Sequence, residues 1–298
     1  MNIEEHLNIP SSICQIETKW NKKHNVELWM KRDDLIHPII SGNKWRKLSG
    51  IFKANDFLNC TKIVTYGGAY SNHLIATACS CSILGTPSKG FVRGEEPKNK
   101  NSVLHLCELY GMELVFLSRE EYKLGSRQQG IHEGELFIPE GGACEEGMAG
   151  CEAIIDEIER NTFTHIVVSC GTGTTIAGMA KAILKNEESA ELLGVQVLKG
   201  ERYIQNELKD KFKVNNATIL DNYHFGGYAK TTTELDAFTQ DFVKETGILL
   251  DPIYTSKMMV AIKKEIEAGK IKSGSKVLAI HTGGLTGWFG KTDNLFKV

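Results

Sequence analysis

Residues 166–175 read Ile166-Val167-Val168-Ser169-Cys170-Gly171-Thr172-Gly173-Thr174-Thr175, and a helical pattern follows to about residue 184. Three β-branched residues in a row are typical of a buried strand, and the two glycines permit a tight turn. A helix N-terminus presents free backbone N–H groups and a positive dipole, to which the threonine hydroxyls add donors. The turn therefore suits a phosphate, although a threonine-capped connection without a ligand explains it equally well. It lacks the P-loop lysine and the G-x-G-x-x-G spacing, which argues against ATP and NAD.

The same order of strand and glycine-rich turn occurs twice more along the chain. Residues 63–66 lead into Gly67-Gly68-Ala69-Tyr70-Ser71-Asn72 and a helix over about 73–84, and residues 276–280 lead into His281-Thr282-Gly283-Gly284. Strands separated by helices of this length predict an α/β fold of open, mostly parallel sheets with helices on both faces. Ligands in such folds bind at the carboxyl ends of the strands, where we expect the three turns to lie.

Length and composition are those of an ordinary globular protein. The chain has 298 residues, of which 41% are hydrophobic and 24% charged, enough for a sizeable core in one large or two ordinary domains. Lys and Arg number 35 against 37 Asp and Glu, so there is no overall basic surface for nucleic acid. No apolar run approaches the roughly 18 residues that span a bilayer. We therefore expect a small-molecule enzyme with no nucleic-acid or membrane partner.

The cysteines indicate the compartment. Eight of them are scattered along the chain with no C-x-x-C pair, so we expect reduced, mostly buried thiols rather than disulfides or a zinc site. The first residues carry neither the basic region nor the apolar core of a secretory signal. Both features predict a cytoplasmic protein without a bound metal.

Lys44 is the first candidate for chemistry. It lies in Ser41-Gly42-Asn43-Lys44-Trp45-Arg46-Lys47-Leu48, where apolar residues at helical spacing predict a helix that begins near Asn43, with Ser41 or Asn43 as its cap. In the first turn of a helix the dipole disfavours an ammonium, and partial burial lowers the lysine pKa further. Lys44 is thus placed to supply a neutral amine for Schiff-base chemistry. A solvated surface lysine is the alternative, because most lysines are of that kind.

A series of motifs spread over nearly the whole chain resembles one enzyme family. In order, they are Lys31-Arg32-Asp33-Asp34-Leu35, Ser41-Gly42-Asn43-Lys44, Gly67-Gly68-Ala69-Tyr70-Ser71-Asn72-His73, Cys170-Gly171-Thr172-Gly173-Thr174-Thr175-Ile176-Ala177-Gly178, Asp251-Pro252-Ile253-Tyr254-Thr255 and His281-Thr282-Gly283-Gly284. The series resembles the pyridoxal-phosphate enzymes of the 1-aminocyclopropane-1-carboxylate (ACC) deaminase and D-cysteine desulfhydrase family, which have the tryptophan-synthase-β-like fold, fold type II. Ordered motifs are more specific than any single one, and they favour the catalytic interpretation of Lys44.

The resemblance implies pyridoxal 5'-phosphate (PLP) as the cofactor and assigns its contacts. Lys44 would hold it as a Schiff base, Asn72 would hydrogen-bond its ring oxygen, and Thr255 would face its pyridine nitrogen. Thr282 would also contact it. The phosphate would lie on the glycine-threonine turn, formed by Thr172, Gly173, Thr174 and Thr175.

Further residues are implied on the substrate side of the cofactor. Ser71 would face the substrate carboxylate or the reacting carbon, Tyr254 would lie near the cofactor ring, and Tyr228 corresponds to a second active-site tyrosine. This chain departs from the family after Tyr228. It continues Ala229-Lys230-Thr231, whereas the family usually has glycine directly after the tyrosine and a proline soon after.

Two threonines bear on the reaction. Family members that open the ACC ring generally carry Glu and Leu where this chain has Thr255 and Thr282, and those that act on D-cysteine carry small hydroxyl residues. A carboxylate would keep the pyridine nitrogen protonated and strengthen the electron sink, which a hydroxyl does not do. We therefore expect β-elimination from D-cysteine to pyruvate, hydrogen sulfide and ammonia. The alternatives are ACC deamination, elimination from another D-amino acid such as D-serine, and a catalytically silent binding protein of this fold.

The family resemblance also implies an architecture. Residues 1–46 and 145–298 would form a large PLP-binding domain, and residues 47–144 a smaller inserted α/β domain. The cofactor would lie between them, and a homodimer acting on a small amino acid is expected.

Overall fold

A computed structural model describes residues 3–55, 57, 59–125, 132–284 and 286–289. Its strands are β1 (Ile13–Ile16), β2 (Glu27–Lys31), β3 (Lys62–Gly68), β4 (Ser88–Arg93), β5 (Met112–Leu117), β6 (Glu135–Ile138), β7 (His165–Cys170), β8 (Glu191–Gln196), β9 (Thr218–Leu220) and β10 (Lys276–Ile280). Its α-helices are α1 (Lys19–Lys23), α2 (Asn43–Ala54), α3 (Asn72–Leu84), α4 (Ser102–Leu109), α5 (Arg119–Gly125), α6 (Glu145–Gly150), α7 (Ala153–Asp156), α8 (Thr174–Lys185), α9 (Tyr203–Asp210), α10 (Thr233–Thr246) and α11 (Thr255–Glu267). Short 3₁₀ helices cover Ile3–His6, Asp33–Leu35 and Glu140–Gly142.

The strands form two sheets. The first has the order β1-β2-β10-β7-β8-β9 and the second the order β5-β4-β3-β6. All neighbouring strands run parallel except β1 and β2, which are antiparallel at one edge of the first sheet. The predicted fold class, α/β with two open and mostly parallel sheets, is confirmed.

Strand β7 shows why these sheets need helices on both faces. Ile166, Val167 and Val168 are all completely buried. Because successive side chains of a strand point to opposite faces, Ile166 and Val168 pack in one apolar cluster with residues of α8, and Val167 packs in another with residues of α11. The continuous apolar run that predicted a buried strand is therefore explained by a sheet that is covered on both sides.

The starts of two helices are capped differently. Helix α1 lies between β1 and β2, and Thr18 and Asn21 form a capping box at its start. Helix α2 begins at Asn43 as predicted, but its N-cap is Gly42 rather than Ser41 or Asn43. Gly42 has φ +61°, and a Cβ there would lie 1.8 Å from the carbonyl oxygen of Thr282. The close approach of two loops, rather than side-chain capping, sets this helix start.

A buried network of ion pairs anchors α2. Arg46 donates from Nε and Nη2 to the two oxygens of Asp33 at 3.0 and 2.8 Å, and from Nη2 to Glu157 at 2.7 Å. Lys31 donates to the same Glu157 carboxylate at 2.6 Å, and the Ser11 hydroxyl donates to Asp33 at 2.6 Å. Lys31 and Asp33 of the motif at 31–35 therefore help to fix α2, because each of these buried charges has a partner of opposite sign.

The four strands of the second sheet all lie within residues 62–138, inside the region predicted as the inserted domain. The 3₁₀ helix Glu140–Gly142 follows and leads toward the first sheet. The predicted boundary between residues 46 and 47 falls inside α2, and the exact domain limits stay a prediction.

Within the described ranges, none of the helices combines the length and the apolar character that a membrane crossing requires.

All eight cysteines are free, and five of them are buried. No group of three or more His, Cys, Asp or Glu residues among the described residues is arranged to hold a metal ion.

Candidate active site

A cavity of about 1060 Å³ opens where the predicted turns come together. It is lined by the turns that follow β3, β7 and β10 and by the starts of α2 and α11, as expected for the carboxyl ends of parallel strands. The polar and charged side chains in its walls include Asn43, Lys44, Lys47, Ser71, Asn72, His73, Arg93, Glu140, Thr172, Thr175, Tyr203, Tyr228, Tyr254 and Thr282.

Lys44 lies in the cavity wall and is half-buried. Burial, together with the nearby positive charge of Lys47, lowers the pKa of the Lys44 amine to about 7. Its Nζ donates to Oδ1 of Asn43 at 2.8 Å, and Asn43 donates in turn to Oγ1 of Thr175 at 3.2 Å. No described carboxylate lies within ion-pair distance of this amine, so near neutral pH about half of it is an unprotonated nucleophile.

The glycine-threonine turn lies across the cavity at the start of α8. Gly173 is the N-cap of α8 with φ +78°, and no side chain caps the helix, so its first backbone N–H groups are available to an anion. Thr172, Gly173 and Thr175 line the cavity. A Cβ at Gly171 would lie 3.2 Å from Cε1 of Tyr254, which places the turn against the tyrosine ring.

Two of the residues predicted to contact the cofactor have hydroxyl groups that bond within the protein. Thr174 is fully buried, is not among the residues that line the cavity, and pairs its hydroxyl with that of Thr172 at 3.1 Å. Thr255 is also fully buried, and its hydroxyl accepts from the backbone N–H of Asp251 at 2.7 Å. A hydroxyl next to a helix start commonly bonds to the local backbone, so Thr255 does not face the cavity. Thr282 does face it, and its hydroxyl has no hydrogen bond to the described residues.

Ser71 and Asn72 begin α3 at the rim of the cavity. The Ser71 hydroxyl is the N-cap and accepts from the backbone N–H groups of His73 and Leu74, each at 3.2 Å. Oδ1 of Asn72 accepts from Oγ1 of Thr286 at 2.5 Å. Ser71 therefore both caps α3 and lines the cavity.

The two predicted tyrosines are neighbours. Tyr254 immediately precedes α11, and Tyr228 lies in the loop between β9 and α10. Their ring centroids are 6.1 Å apart in an edge-to-face arrangement. Burial raises the pKa of both phenols, that of Tyr254 strongly, so both are protonated donors at neutral pH.

Lys47 is a cavity residue that the sequence analysis passed over. It is 3% exposed, one helical turn after Lys44, and its Nζ donates to the carbonyl oxygen of Gly141 at 2.9 Å. Burial lowers its pKa, and no described carboxylate pairs with it. An unpaired buried amine in a cavity wall favours an anionic ligand. Helical spacing from Lys44 was the available signal.

His73 is the second residue that the sequence analysis gave no role. Its Nε2 contacts Oγ1 of Thr65 at 2.9 Å, and that hydroxyl already donates to the carbonyl oxygen of Ile138. Nε2 is therefore the donor, and Nδ1 is a buried acceptor with no partner among the described residues. Burial, aided by Lys44 and Lys47, lowers the pKa of His73 to about 3, so the ring is neutral.

Comparison with known proteins identifies the family. The model of the family described as pyridoxal-phosphate dependent enzyme matches residues 16–283. A Thermotoga maritima protein named putative 1-aminocyclopropane-1-carboxylate deaminase is 32% identical over 97% of this chain and 98% of its own length. An Arabidopsis thaliana bifunctional D-cysteine desulfhydrase/1-aminocyclopropane-1-carboxylate deaminase is 31% identical over 93% of this chain and 78% of its own.

A solved structure described as an ACC deaminase homologue superposes with a TM-score of 0.80 at 27% identity, covering 97% of this chain and 94% of that one. The family match spans most of the chain and includes the cavity residues from Lys44 to Thr282. The chain belongs to the family of pyridoxal-phosphate dependent enzymes.

Proposed function

We propose that this protein is a lyase that uses PLP to eliminate the β-substituent of a small amino acid, with D-cysteine as the preferred substrate. The products would be pyruvate, hydrogen sulfide and ammonia. The observation that carries the proposal is the meeting, in one cavity, of an amine with a pKa of about 7, an uncapped helix start and a pair of tyrosines.

The residues present fit the cofactor. Lys44 supplies an amine that is partly unprotonated near neutral pH, as bonding to an aldehyde requires. The free N–H groups at the start of α8 suit the phosphate, and the buried amine of Lys47 supplies further N–H donors in the same cavity. Thr282 offers a hydroxyl to the ring, and Asn72 offers an amide.

When bound, PLP withdraws electrons from the bond that breaks at the substrate Cα. The chain's own groups then divide the remaining work. The Lys44 amine would remove the proton from Cα as a general base, Ser71 and the start of α3 would hold the substrate carboxylate, and the protonated tyrosines would face the reacting carbons. The sulfur leaves as hydrosulfide, and water replaces nitrogen at Cα to release ammonia.

The charge distribution of the cavity supports D-cysteine. Glu140 is the only carboxylate among the described residues that line the cavity. Asp251 lies behind the wall, where burial raises its pKa to about 7 and its Oδ1 accepts the backbone N–H groups of Ile253 and Tyr254. Apart from Glu140, the polar side chains that line the cavity among the described residues are therefore hydroxyls, amides and basic groups. Loss of a thiolate demands less electron withdrawal than opening a cyclopropane that bears no α-hydrogen.

ACC deamination is the second candidate, because the relatives named above carry that activity in their names. We also propose that the protein is a cytoplasmic homodimer. A silent binding protein of the same fold is disfavoured by the retention of the amine, the uncapped helix and both tyrosines in one cavity.

The test compares D-cysteine, L-cysteine, D-serine and ACC side by side with the PLP-loaded protein. We expect D-cysteine to yield pyruvate and sulfide in equal amounts at the highest kcat/KM. Release of 2-oxobutanoate from ACC at a higher kcat/KM would favour the second candidate. Protein that binds PLP but forms no oxo acid from any of the four substrates would contradict both.

Two variants on α2 make matched controls for this assay. Lys44→Ala removes the amine, and we expect it to abolish both turnover and the covalent cofactor absorbance. Lys53→Ala changes an exposed lysine of the same helix, and we expect wild-type values. Full turnover by Lys44→Ala would refute the assignment of the general base.

A further inference from the structure

The loop that carries Tyr228 has an unusual backbone. Phe225, Gly226, Gly227 and Ala229 all have positive φ, at 49°, 91°, 113° and 55°. Two of the four are not glycine, and a non-glycine residue with positive φ needs support from its surroundings. Tyr228 is 51% exposed, so the packing of its own ring supplies only part of that support.

The support comes from Lys257 on the neighbouring helix α11. This lysine is completely buried, and its Nζ donates to the carbonyl oxygens of His224 and Gly227, each at 2.8 Å. The same two carbonyls accept the loop's own backbone N–H groups, those of Gly227 at 3.0 Å and Lys230 at 3.2 Å. The Lys257 ammonium therefore bonds to the first carbonyl of each of two consecutive turns, at residues 224–227 and 227–230.

The placement of Lys257 also links the loop to the other tyrosine. Tyr254 immediately precedes α11, and Lys257 lies in the first turn of that helix. The Lys257 ammonium thus links α11, which Tyr254 immediately precedes, to the loop that bears Tyr228.

Burying an ammonium at this position carries a desolvation cost. Burial lowers its pKa to about 8, and no described carboxylate pairs with it. An apolar residue would fill the same space without the desolvation penalty, so the donors are the feature to be explained.

We propose that Lys257 is a positioning residue that sets Tyr228 against Tyr254 by fastening the loop at residues 224–230. The inference rests on the proposed function for the role of the tyrosines in turnover, but the fastening itself is independent of any substrate. A lysine that merely filled space would leave the loop and the tyrosine pair unchanged when replaced by a residue of similar length.

The experiment replaces Lys257 by Met, which keeps the length and removes the donors, in the PLP-loaded protein. The matched control is Lys263→Met on the same helix, since Lys263 pairs with Glu267 and contacts Phe238 rather than this loop. We expect hydrogen exchange at the amides of Gly227 and Lys230 to become at least about tenfold faster in Lys257→Met, with wild-type exchange in the control. We expect unchanged cofactor absorbance, because Lys257 is absent from the cavity lining.

A double-substitution cycle separates positioning from general stability. We expect Lys257→Met to lower kcat for D-cysteine about 10- to 100-fold, and Tyr228→Phe to have little further effect in that background. Additive losses, or unchanged exchange at the two amides, would overturn the proposal. Should Lys257→Met fail to fold, Lys257→Leu, which also removes the donors, takes its place with the same expectations. A wild-type protein that releases no oxo acid contradicts the proposed function alone, because the exchange measurement needs no turnover.

Discussion

Helix α2 carries positive charge on two faces that are treated in opposite ways. On one face, the Arg46 guanidinium is 2% exposed and lies between the carboxylates of Asp33 and Glu157. Although burial opposes it, hydrogen bonds to both carboxylates raise the pKa of Arg46. On the other face, Lys44 and Lys47 have no acidic partner among the described residues, and burial lowers the pKa of each.

The difference separates the charges that hold the fold from those available for chemistry. A buried charge that is fully paired keeps one protonation state, and removing its partner strongly destabilises the fold. A buried amine without a partner is costly to protonate, which makes it a nucleophile and an anion receptor near neutral pH. The following predictions test whether the two faces behave so differently.

The largest expected effect is on turnover at the unpaired face. Lys44→Met keeps the volume of the side chain and removes the amine, so we expect kcat for oxo-acid release to fall by about 10⁴-fold or more. Arg46 lies on the paired face of the same helix, and we expect Arg46→Lys to retain covalent cofactor absorbance that Lys44→Met lacks. Comparable turnover by Lys44→Met and wild type would remove the contrast.

The next largest effect is on stability at the paired face. Arg46→Met leaves the carboxylates of Asp33 and Glu157 buried without their main partner, so we expect a loss of about 3–5 kcal/mol in the free energy of unfolding. Urea denaturation of the apoprotein measures it. Lys22→Met breaks an exposed pair with Glu17 and should change stability by less than about 0.5 kcal/mol. Equal losses of unfolding free energy in the two variants would show that the buried network stabilises the fold no more than an exposed ion pair does.

Much of this site was predictable because its signals are local. Neighbouring residues are enough to predict the strand at residues 166–168, the turn that follows it and the start of α2 at Asn43. Parallel sheets then bring such turns to one edge. The motifs placed Lys44, Ser71, Tyr254 and Thr282 in the cavity for the same reason.

The rest depends on contacts between distant segments. Lys47 is buried by Gly141, His73 is oriented through Thr65 and Ile138, and Lys257 reaches a loop some thirty residues away. No local pattern marks such partners. Thr255 shows a different limit, since its hydroxyl bonds to the backbone of its own turn, and a motif shared with other chains does not reveal which neighbour a hydroxyl selects.

A third prediction gives the two faces opposite signs in the same assay. The pKa of Lys44 falls from its ordinary 10.5 to about 7 on folding, so between those pH values the unfolded chain binds more protons than the folded one. The amine therefore lowers the free energy of unfolding, and this destabilisation decreases as the pH rises from 7 to 10.5. Below pH 7 the destabilisation is complete. We therefore expect Lys44→Met to stabilise the apoprotein by about 1–2 kcal/mol at pH 6.5 and by much less at pH 9.5.

Urea midpoints at the two pH values measure this gain, and Lys53→Met on the same helix is the control without a pH-dependent change. A loss of stability in Lys44→Met at pH 6.5, like the loss expected in Arg46→Met, would mean that both faces of α2 serve the fold.

The smallest expected effect separates the two threonines of the site. Thr282→Val removes a hydroxyl on a cavity residue that has no hydrogen-bond partner among the described residues, so we expect kcat for D-cysteine to fall about tenfold with little change in stability. Thr255→Val removes the acceptor of the buried Asp251 N–H, so we expect a loss of about 1–2 kcal/mol in unfolding free energy and a smaller change in kcat. Steady-state kinetics and urea denaturation of both variants decide the matter. The reverse pattern would place Thr255 at the cofactor and Thr282 in the scaffold, because a hydroxyl already bonded within its own turn affects folding before it affects chemistry.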